Sequence, residues 1–308
     1  MKARFGALMV ALALLGACGE APPTEPPPTE PPPPEPPPPV EQVTVVLAGA
    51  GNIAKCTNDR DEATAQLLDA AADWVAALGD NVWDDGTLAD YNSCYGPTWG
   101  RHKDRTFAVL GNHEYDLGTA DGTFDYFADR AGPRPLGYYS QNIGDWHVIV
   151  INSNNTYVPV AAGSPQDQWL VTDLAANTKP CVLAMWHEPV FTSGQAGEGL
   201  VRTSLRILWE RLYAAGADVV LNGQQHHYER MTPMSPDGSR DDARGIRQFN
   251  VGTGGESLLA PTVIYPNSEA YGVAFGVLQL TLRTGGYDWA FLPIPGETYA
   301  DAGSATCH

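Results

Sequence analysis

Five short apolar runs in this chain each close on side chains that offer oxygen or nitrogen, and this repeated design constrains the fold more than any bulk property. Val43 to Ala48 leads into Gly49, Gly51 and Asn52, Trp74 to Leu78 into Gly79 and Asp80, and Phe107 to Leu110 into Gly111, Asn112 and His113. Cys181 to Met185 leads into Trp186 and His187, and Val219 to Leu221 into Asn222, Gly223, Gln224 and, two residues on, His226. Continuous apolar runs of this length read as strands buried on both faces. Helical periodicity runs over Asp61 to Ala72, a helix is expected over Pro165 to Ala176 with Ser164 as its cap, and Leu200 to Ala215 is amphipathic and stopped by Gly216. Trp146 to Ile151, Gln248 to Val251, Val273 to Leu282 and Tyr287 to Phe291 add further strands. The alternation predicts one α/β domain with a strand-rich C-terminal third. In such sheets the crevice beyond the carboxyl ends of the strands is the usual ligand site. One polar strand end is commonly a turn or cap; five together point to a site.

The first forty residues read differently. Lys2 and Arg4 precede an apolar run from Phe5 to Leu15, too short to span a bilayer, so residues 1–17 read as a secretory signal. The tetrad Leu15, Gly16, Ala17, Cys18 resembles the bacterial lipobox, which implies a lipid on Cys18 and a membrane anchor; the plainer alternative is an ordinary cleaved signal with an incidental cysteine. Residues 18–41 form a spacer, and 13 of the 26 prolines fall within 21–39, interrupted by Glu25, Glu30 and Glu35. Proline fixes φ and removes a donor, so the spacer is expected to be extended, reaching roughly 60 Å at about 3.1 Å per residue.

Residues 42–308 form the folded domain, with 31 acids against 16 bases. That excess of acid argues against nucleic acid as a partner, since neutralising phosphates needs clustered Lys and Arg. Four cysteines remain, Cys56, Cys94, Cys181 and Cys307. An even number in an exported chain suggests two disulfides, and of the three pairings Cys56–Cys94 with Cys181–Cys307 is expected, the second pinning the C-terminal tail to the core.

The strings GDN at 79–81, GNHE at 111–114, WHEP at 186–189 and the HHYER ending at 226–230 resemble the calcineurin-like metallophosphoesterases, and within them the purple acid phosphatase branch. CYGPTWGRHKDRT at 94–106 and VGTGG at 251–255 support the resemblance, which covers 43–308. It implies a four-layer α-β-β-α sandwich with two mixed β-sheets and two metal ions, Fe, Zn or Mn, at the strand ends. By that resemblance Asp80 bridges both ions, His226 binds the first, and Asn112 and His187 bind the second. His113 touches the phosphate or leaving group, and Glu114 supports it, orienting its ring or serving the structure. The implied reaction is hydrolysis of a phosphate monoester by a metal-bound hydroxide, with a small phosphorylated molecule as substrate.

Three positions depart from the pattern. Asn52 stands in a GAGNIA context where the family carries an aspartate ligand of the first metal. Gln224 stands where G-H-x-H supplies a histidine to the second, and Trp83 replaces the GDxxY tyrosine. An amide oxygen still coordinates, but it is neutral and matches a borderline metal poorly. Asp80 is left as the one carboxylate assigned to the ions, and each site loses one strong ligand. The expectation is a weakened centre holding two ions or one. The alternative is an inactive binding protein of the same fold at the cell envelope.

The remaining candidates have plain readings. Trp74, Trp99, Trp146, Trp169 and Trp209 read as packing. Arg101, His102 and Lys103 read as a solvated loop near the rim, and Tyr228, Glu229 and Arg230 as a brace for the last metal loop. VGTGG lacks the Gly-Lys-Ser/Thr ending of a phosphate-cradling loop, and reads as backbone passing close to the pocket.

Overall fold

Along Trp146–Val150, Cys181–Met185 and Val219–Asn222, neighbouring residues point to opposite faces of a sheet, and every residue of these strands is buried. Val148, Val150, Leu183, Met185, Val219 and Leu221 join one apolar cluster, which also takes Leu47, Val75, Phe107 and Val277 from a second sheet. The alternate residues Ile149, Val182, Ala184 and Val220 join another cluster, with Leu170, Leu208, Trp209 and Leu212. Those last four come from the helices Pro165–Ala176 and Arg206–Ala214. The computed structural model describes residues 44–308 and the single positions 9, 11 and 19. Apart from those three positions, the expected signal, Cys18 and the spacer lie outside the described residues.

One sheet has the order Ala302–Thr306, Gly286–Pro293, Gly276–Arg283, Val45–Ala50, Trp74–Ala77, Thr106–Ala108. Its last three strands run parallel, which aims their carboxyl ends the same way. The other has the order Ser268–Gly272, Tyr228–Met234, Ile246–Val251, Val219–Asn222, Cys181–Met185, Trp146–Val150, Tyr139–Ile143, with its four central pairing neighbours from Ile246 to Val150 parallel. The helix Arg60–Ala71 packs Ala65 and Leu68 on the outer face of the first sheet. The layers are therefore helix, sheet, sheet, helix, as the resemblance implied.

Local differences have local causes. The helix expected from Leu200 begins at Arg206, because Val201 bridges to Phe191 and Thr203–Leu205 forms a separate tight turn. The strand expected over Val273 to Leu282 runs over Gly276–Arg283, and a separate strand, Ser268–Gly272, precedes it unforeseen. Tyr228–Met234 is a strand that Pro233 hides from a pattern reading; the ladder shifts register between Arg230 and Pro233. Both disulfides pair as expected, Cys56 with Cys94 and Cys181 with Cys307. The second ties a strand of the seven-stranded sheet to the residue following the last strand of the six-stranded one. Trp99, Trp146 and Trp209 are buried, and Trp74 and Trp169 pack against the core.

Candidate metal centre

Each of the five expected ligand loops begins where a parallel strand stops. Gly51 and Asn52 follow Val45–Ala50, Gly79 and Asp80 follow Trp74–Ala77, and Gly111 and Asn112 follow Thr106–Ala108. From the second sheet come His187 after Cys181–Met185 and Gly223 to His226 after Val219–Asn222. Backbone bonds sew the loops together: Asn52 N donates to Gly79 O at 3.0 Å, Gly223 N to His187 O at 3.0 Å, and Gly51 N to Val251 O at 2.8 Å, the last joining the two sheets. The turns are tight enough that Asn52, Asp80 and Gln224 all adopt positive φ, at 54°, 50° and 60°. Such strain in residues with a side chain gathers at functional sites. Two glycines are demanded by space: a Cβ on Gly111 would lie 2.2 Å from Asp80 Oδ1, and one on Gly79 would lie 2.5 Å from His187 Nδ1.

Asp80 is the centre of the arrangement. Its Oδ1 accepts from His113 N at 3.1 Å, and its Oδ2 lies 3.2 Å from His187 Nε2. His187 Nδ1 bonds the Leu78 carbonyl at 2.7 Å, so the proton sits on Nδ1 and a lone pair is left on Nε2. Two electron pairs facing each other at that distance in a buried site require a cation between them. In the metal-free protein a proton serves. Burial pulls the His187 imidazole down, but the Asp80 charge outweighs it and pushes His187 up to about 9. Burial likewise raises the Asp80 carboxyl, and His187 more than offsets this and holds it low. A bound dication supplies the same charge more strongly.

Of the expected ligands, Asn52, Asn112 and Gln224 each bury a side-chain oxygen without a hydrogen-bond partner, and His187 Nε2 faces the Asp80 carboxylate. Leaving a buried acceptor unpaired costs roughly 1–3 kcal/mol. Three unpaired amide oxygens and an imidazole nitrogen on the expected ligands, with Asn81 Oδ1 and Asn222 Oδ1 also unpaired beside them, suit a cation. Outside two groups built on the disulfides, no three ligand atoms from His, Cys, Asp or Glu lie within 4.8 Å of one another among the described residues. The donor set here is instead rich in amides, because Asn52 and Gln224 occupy two of its positions. On the His187 side the Asp80 carboxylate, one imidazole and the amide oxygens of Asn112 and Gln224 still suit Zn, Mn or Fe.

His226 belongs to the same cluster on the opposite side of Asn52. Its Nε2 lies 2.9 Å from Asn52 Nδ2, which also donates to Asp80 Oδ2 at 3.4 Å. Its Nδ1 lies 2.8 Å from Ser257 Oγ, and Ser257 donates in turn to Glu256. Glu256 is paired with Lys55 Nζ at 2.8 Å. The sequence reading missed Lys55, Glu256 and Ser257; the last two directly follow VGTGG, whose Gly252 passes within 2.9 Å of Asn52 Oδ1 when a Cβ is built on it.

Of the two roles expected for Glu114, orienting His113 or serving the structure, its hydrogen bonds fit the second. Glu114 accepts from the backbone N–H groups of Asp80 at 2.9 Å, Asn81 at 2.7 Å and Gly111 at 2.6 Å, so it clamps the two loops and makes no bond to His113. Burial, then the charge of Asp80, raises the Glu114 carboxyl to about 7. His113 is oriented by Asp116, 2.7 Å from its Nδ1, and by the Asp84 carbonyl at 3.2 Å, with the Trp83 ring 3.5 Å away centroid to centroid. The available signal was an acid three residues after the histidine. Arg101 and His102 pair with Glu62 and Asp69 of the helix Arg60–Ala71, so this stretch braces that helix instead of forming the solvated loop expected. Tyr228 and Arg230 converge on Asp301, and Glu229 holds Ser193 and Asn250, which anchors the last loop from below.

Two clefts flank the cluster. One of about 520 Å³ is lined by Gln224, His226, Thr192 and Arg202; one of about 430 Å³ by Asn112, Tyr115, Asn154 and Glu188. The family described as Calcineurin-like phosphoesterase matches residues 54–228, more than half of the chain. The chain belongs to that family. The chain is similar to purple acid phosphatase 15 of Arabidopsis thaliana, 27% identical over 218 residues that make up 60% of this chain and 40% of that protein. It therefore spans less than half the length of that relative. Its fold matches purple acid phosphatase PPD1 from yellow lupin (Lupinus luteus) seeds, with a TM-score of 0.69 at 16% identity, covering 86% of this chain and 54% of that one. It also matches GAP50, the anchor in the inner membrane complex of Plasmodium, with a TM-score of 0.64 at 15% identity, covering 86% and 89%. Among the described residues no helix is long and apolar enough to cross a membrane.

Proposed function

We propose that this phosphoesterase is an exported, lipid-tethered hydrolase of phosphate monoesters that works through a weakened metal centre. The observation that carries the reading is the set of unpaired buried amide oxygens of Asn52, Asn112 and Gln224 on the loops that meet at Asp80. Asp80, Asn112, His187 and Gln224 would hold one ion; Asp80, His226 and Asn52 line the position of the other. A bound ion supplies Lewis acidity and lowers the pKa of its water toward neutrality. The chain's own residues do the rest. Leu78 O fixes the His187 tautomer so that Nε2 faces inward. Glu114 fixes the peptide groups that carry Asp80. Asp116 and the Asp84 carbonyl both accept, so they hold the proton of His113 on Nδ1 and leave Nε2 for the phosphate or the departing oxygen. Arg202, 3.6 Å from Glu188, is the cation lining the larger cleft and offers a guanidinium to a phosphorylated substrate.

The second reading, a binding protein without turnover, is favoured by one observation: Asn52 and Gln224 place neutral amides at two expected ligand positions. A fold shared with GAP50, described as an anchor, is compatible with it. The test is hydrolysis of p-nitrophenyl phosphate by the purified full chain supplied with Zn, Mn or Fe. The hydrolase reading expects metal-dependent turnover that is lost in His187→Ala and falls at least tenfold in His113→Ala. A chain that binds metal and leaves the ester intact with every cation supports the binding reading.

A further inference from the structure

Resting on the metal-dependent reading above, we infer that this chain is built for one metal ion per molecule, because the side-chain amide of Asn52 fills the place of the other. The proton positions follow from the hydrogen bonds. Ser257 donates its single hydrogen to Glu256, so Ser257 Oγ accepts from His226, and the His226 proton sits on Nδ1. His226 Nε2 therefore presents a lone pair, as a metal ligand would, and so does the ionised Asp80 Oδ2. The group between them is Asn52 Nδ2, 2.9 Å from the first and 3.4 Å from the second. An amide NH₂ has two hydrogens and no lone pair to offer, so it matches two acceptors as a cation would, without needing a charge. Turning the amide over would set Oδ1 against a carboxylate and an imidazole lone pair, three acceptors with no donor among them.

The two sides of Asp80 therefore differ in kind. On the His226 side His226 Nε2 and Asp80 Oδ2 already have a donor, and the one oxygen left unpaired, Asn52 Oδ1, lies beside Gly252. On the other side Asn112 Oδ1 and Gln224 Oε1 have none, and His187 Nε2 meets only the Asp80 carboxylate. The charges agree with this division. Asp80 is the one carboxylate between the two positions, too little to offset two dications close together, whose repulsion is four times that of unit charges. Glu256, beside His226, is already paired with Lys55, and Glu114 is turned to the backbone N–H groups of Asp80, Asn81 and Gly111.

The experiment measures metal stoichiometry, independent of turnover. The full chain is stripped with chelator, titrated with Mn²⁺ followed calorimetrically, and assayed for bound metal by elemental analysis. The wild type is expected to take one equivalent. His226→Ala is expected to keep it, His187→Ala to lose it, and Asn52→Asp to take two, with the electron paramagnetic resonance of an exchange-coupled pair replacing that of an isolated ion. Two equivalents in the wild type, or a single ion that depends on His226 and survives loss of His187, overturns the inference and leaves the hydrolase reading standing. An Asn52→Asp protein that folds yet stays at one equivalent overturns it as well. No bound metal in the wild type overturns the metal-dependent reading itself, and this inference with it.

Discussion

At the scale of single residues, two amides set the strength of this site. Asn52 and Gln224 retain oxygen donors but carry no charge and no imidazole, and disturbing even the supports of metal ligands costs roughly 10–100-fold in affinity or activity. Restoring both, as Asn52→Asp with Gln224→His, is expected to raise metal content to two ions and p-nitrophenyl phosphate turnover by at least about tenfold, read by elemental analysis and initial rates. A double variant whose metal content rises while turnover stays at zero would point to a fault in His113 or the clefts. The substitutions themselves were legible in the sequence, since the GAG-N-IA and G-Q-Q-H contexts mark them. What Asn52 does with its hydrogens was not, because that depends on a serine and a glutamate about two hundred positions away. Glu114 shows the same limit. Adjacency in sequence left His113 open as its partner, whereas its carboxylate turns to three backbone N–H groups, two from the Asp80 loop and one from its own.

At the scale of elements, the strands that could be read were those with both faces buried. Cys181–Met185 is continuous apolar sequence because helices cover one face and the other sheet covers the opposite one. Strands with one wet face escaped notice. Ala302–Thr306 alternates exposed and half-buried residues and pairs on one side only, and Tyr139–Ile143 is mostly polar. Loop geometry is where the fold meets the chemistry, and Gly111 is the sharpest case. Gly111→Ala places a methyl group 2.2 Å from Asp80 Oδ1 and 2.3 Å from Asp80 N, atoms of a clamped loop that has no room to retreat. Overpacking of this kind costs about 1–3 kcal/mol. Urea denaturation should show that loss together with reduced metal uptake; uptake unchanged from wild type would mean that the loop yields without displacing Asp80.

At the scale of the whole molecule, the C-terminal segment closes the structure twice. Asp301 accepts from Tyr228 Oη at 2.7 Å, Arg230 Nε at 2.7 Å and Nη2 at 3.0 Å, and Trp289 Nε1 at 3.2 Å. Burial raises its carboxyl, but Arg230 and Tyr228 outweigh burial and hold it below its ordinary value of 3.8. A carboxyl held low adds stability that is present above its unfolded pKa and is lost as pH falls through the folded one. Asp301→Asn is therefore expected to cost roughly 1.5–3 kcal/mol at pH 6–7, and the gap between wild type and variant should shrink below about pH 4. Equilibrium unfolding across that range checks it; a gap independent of pH would remove the charge from the explanation. The second closure is Cys181–Cys307, which encloses a separation of 126 residues. Replacing both cysteines with serine is expected to cost about 2–5 kcal/mol, with amide exchange faster in Ala302–Thr306 than at the strand ends around Asp80. The even cysteine count foretold this bond, although the sequence alone left three pairings open. Cys181 opens the strand whose far end delivers His187, so the bond links the rear of a ligand-bearing strand to the tail of the other sheet. Dithiothreitol, added by habit to shield metalloenzymes during purification, would here cut a seam between the two halves of the sandwich, and preparations made with and without it should be treated as different samples.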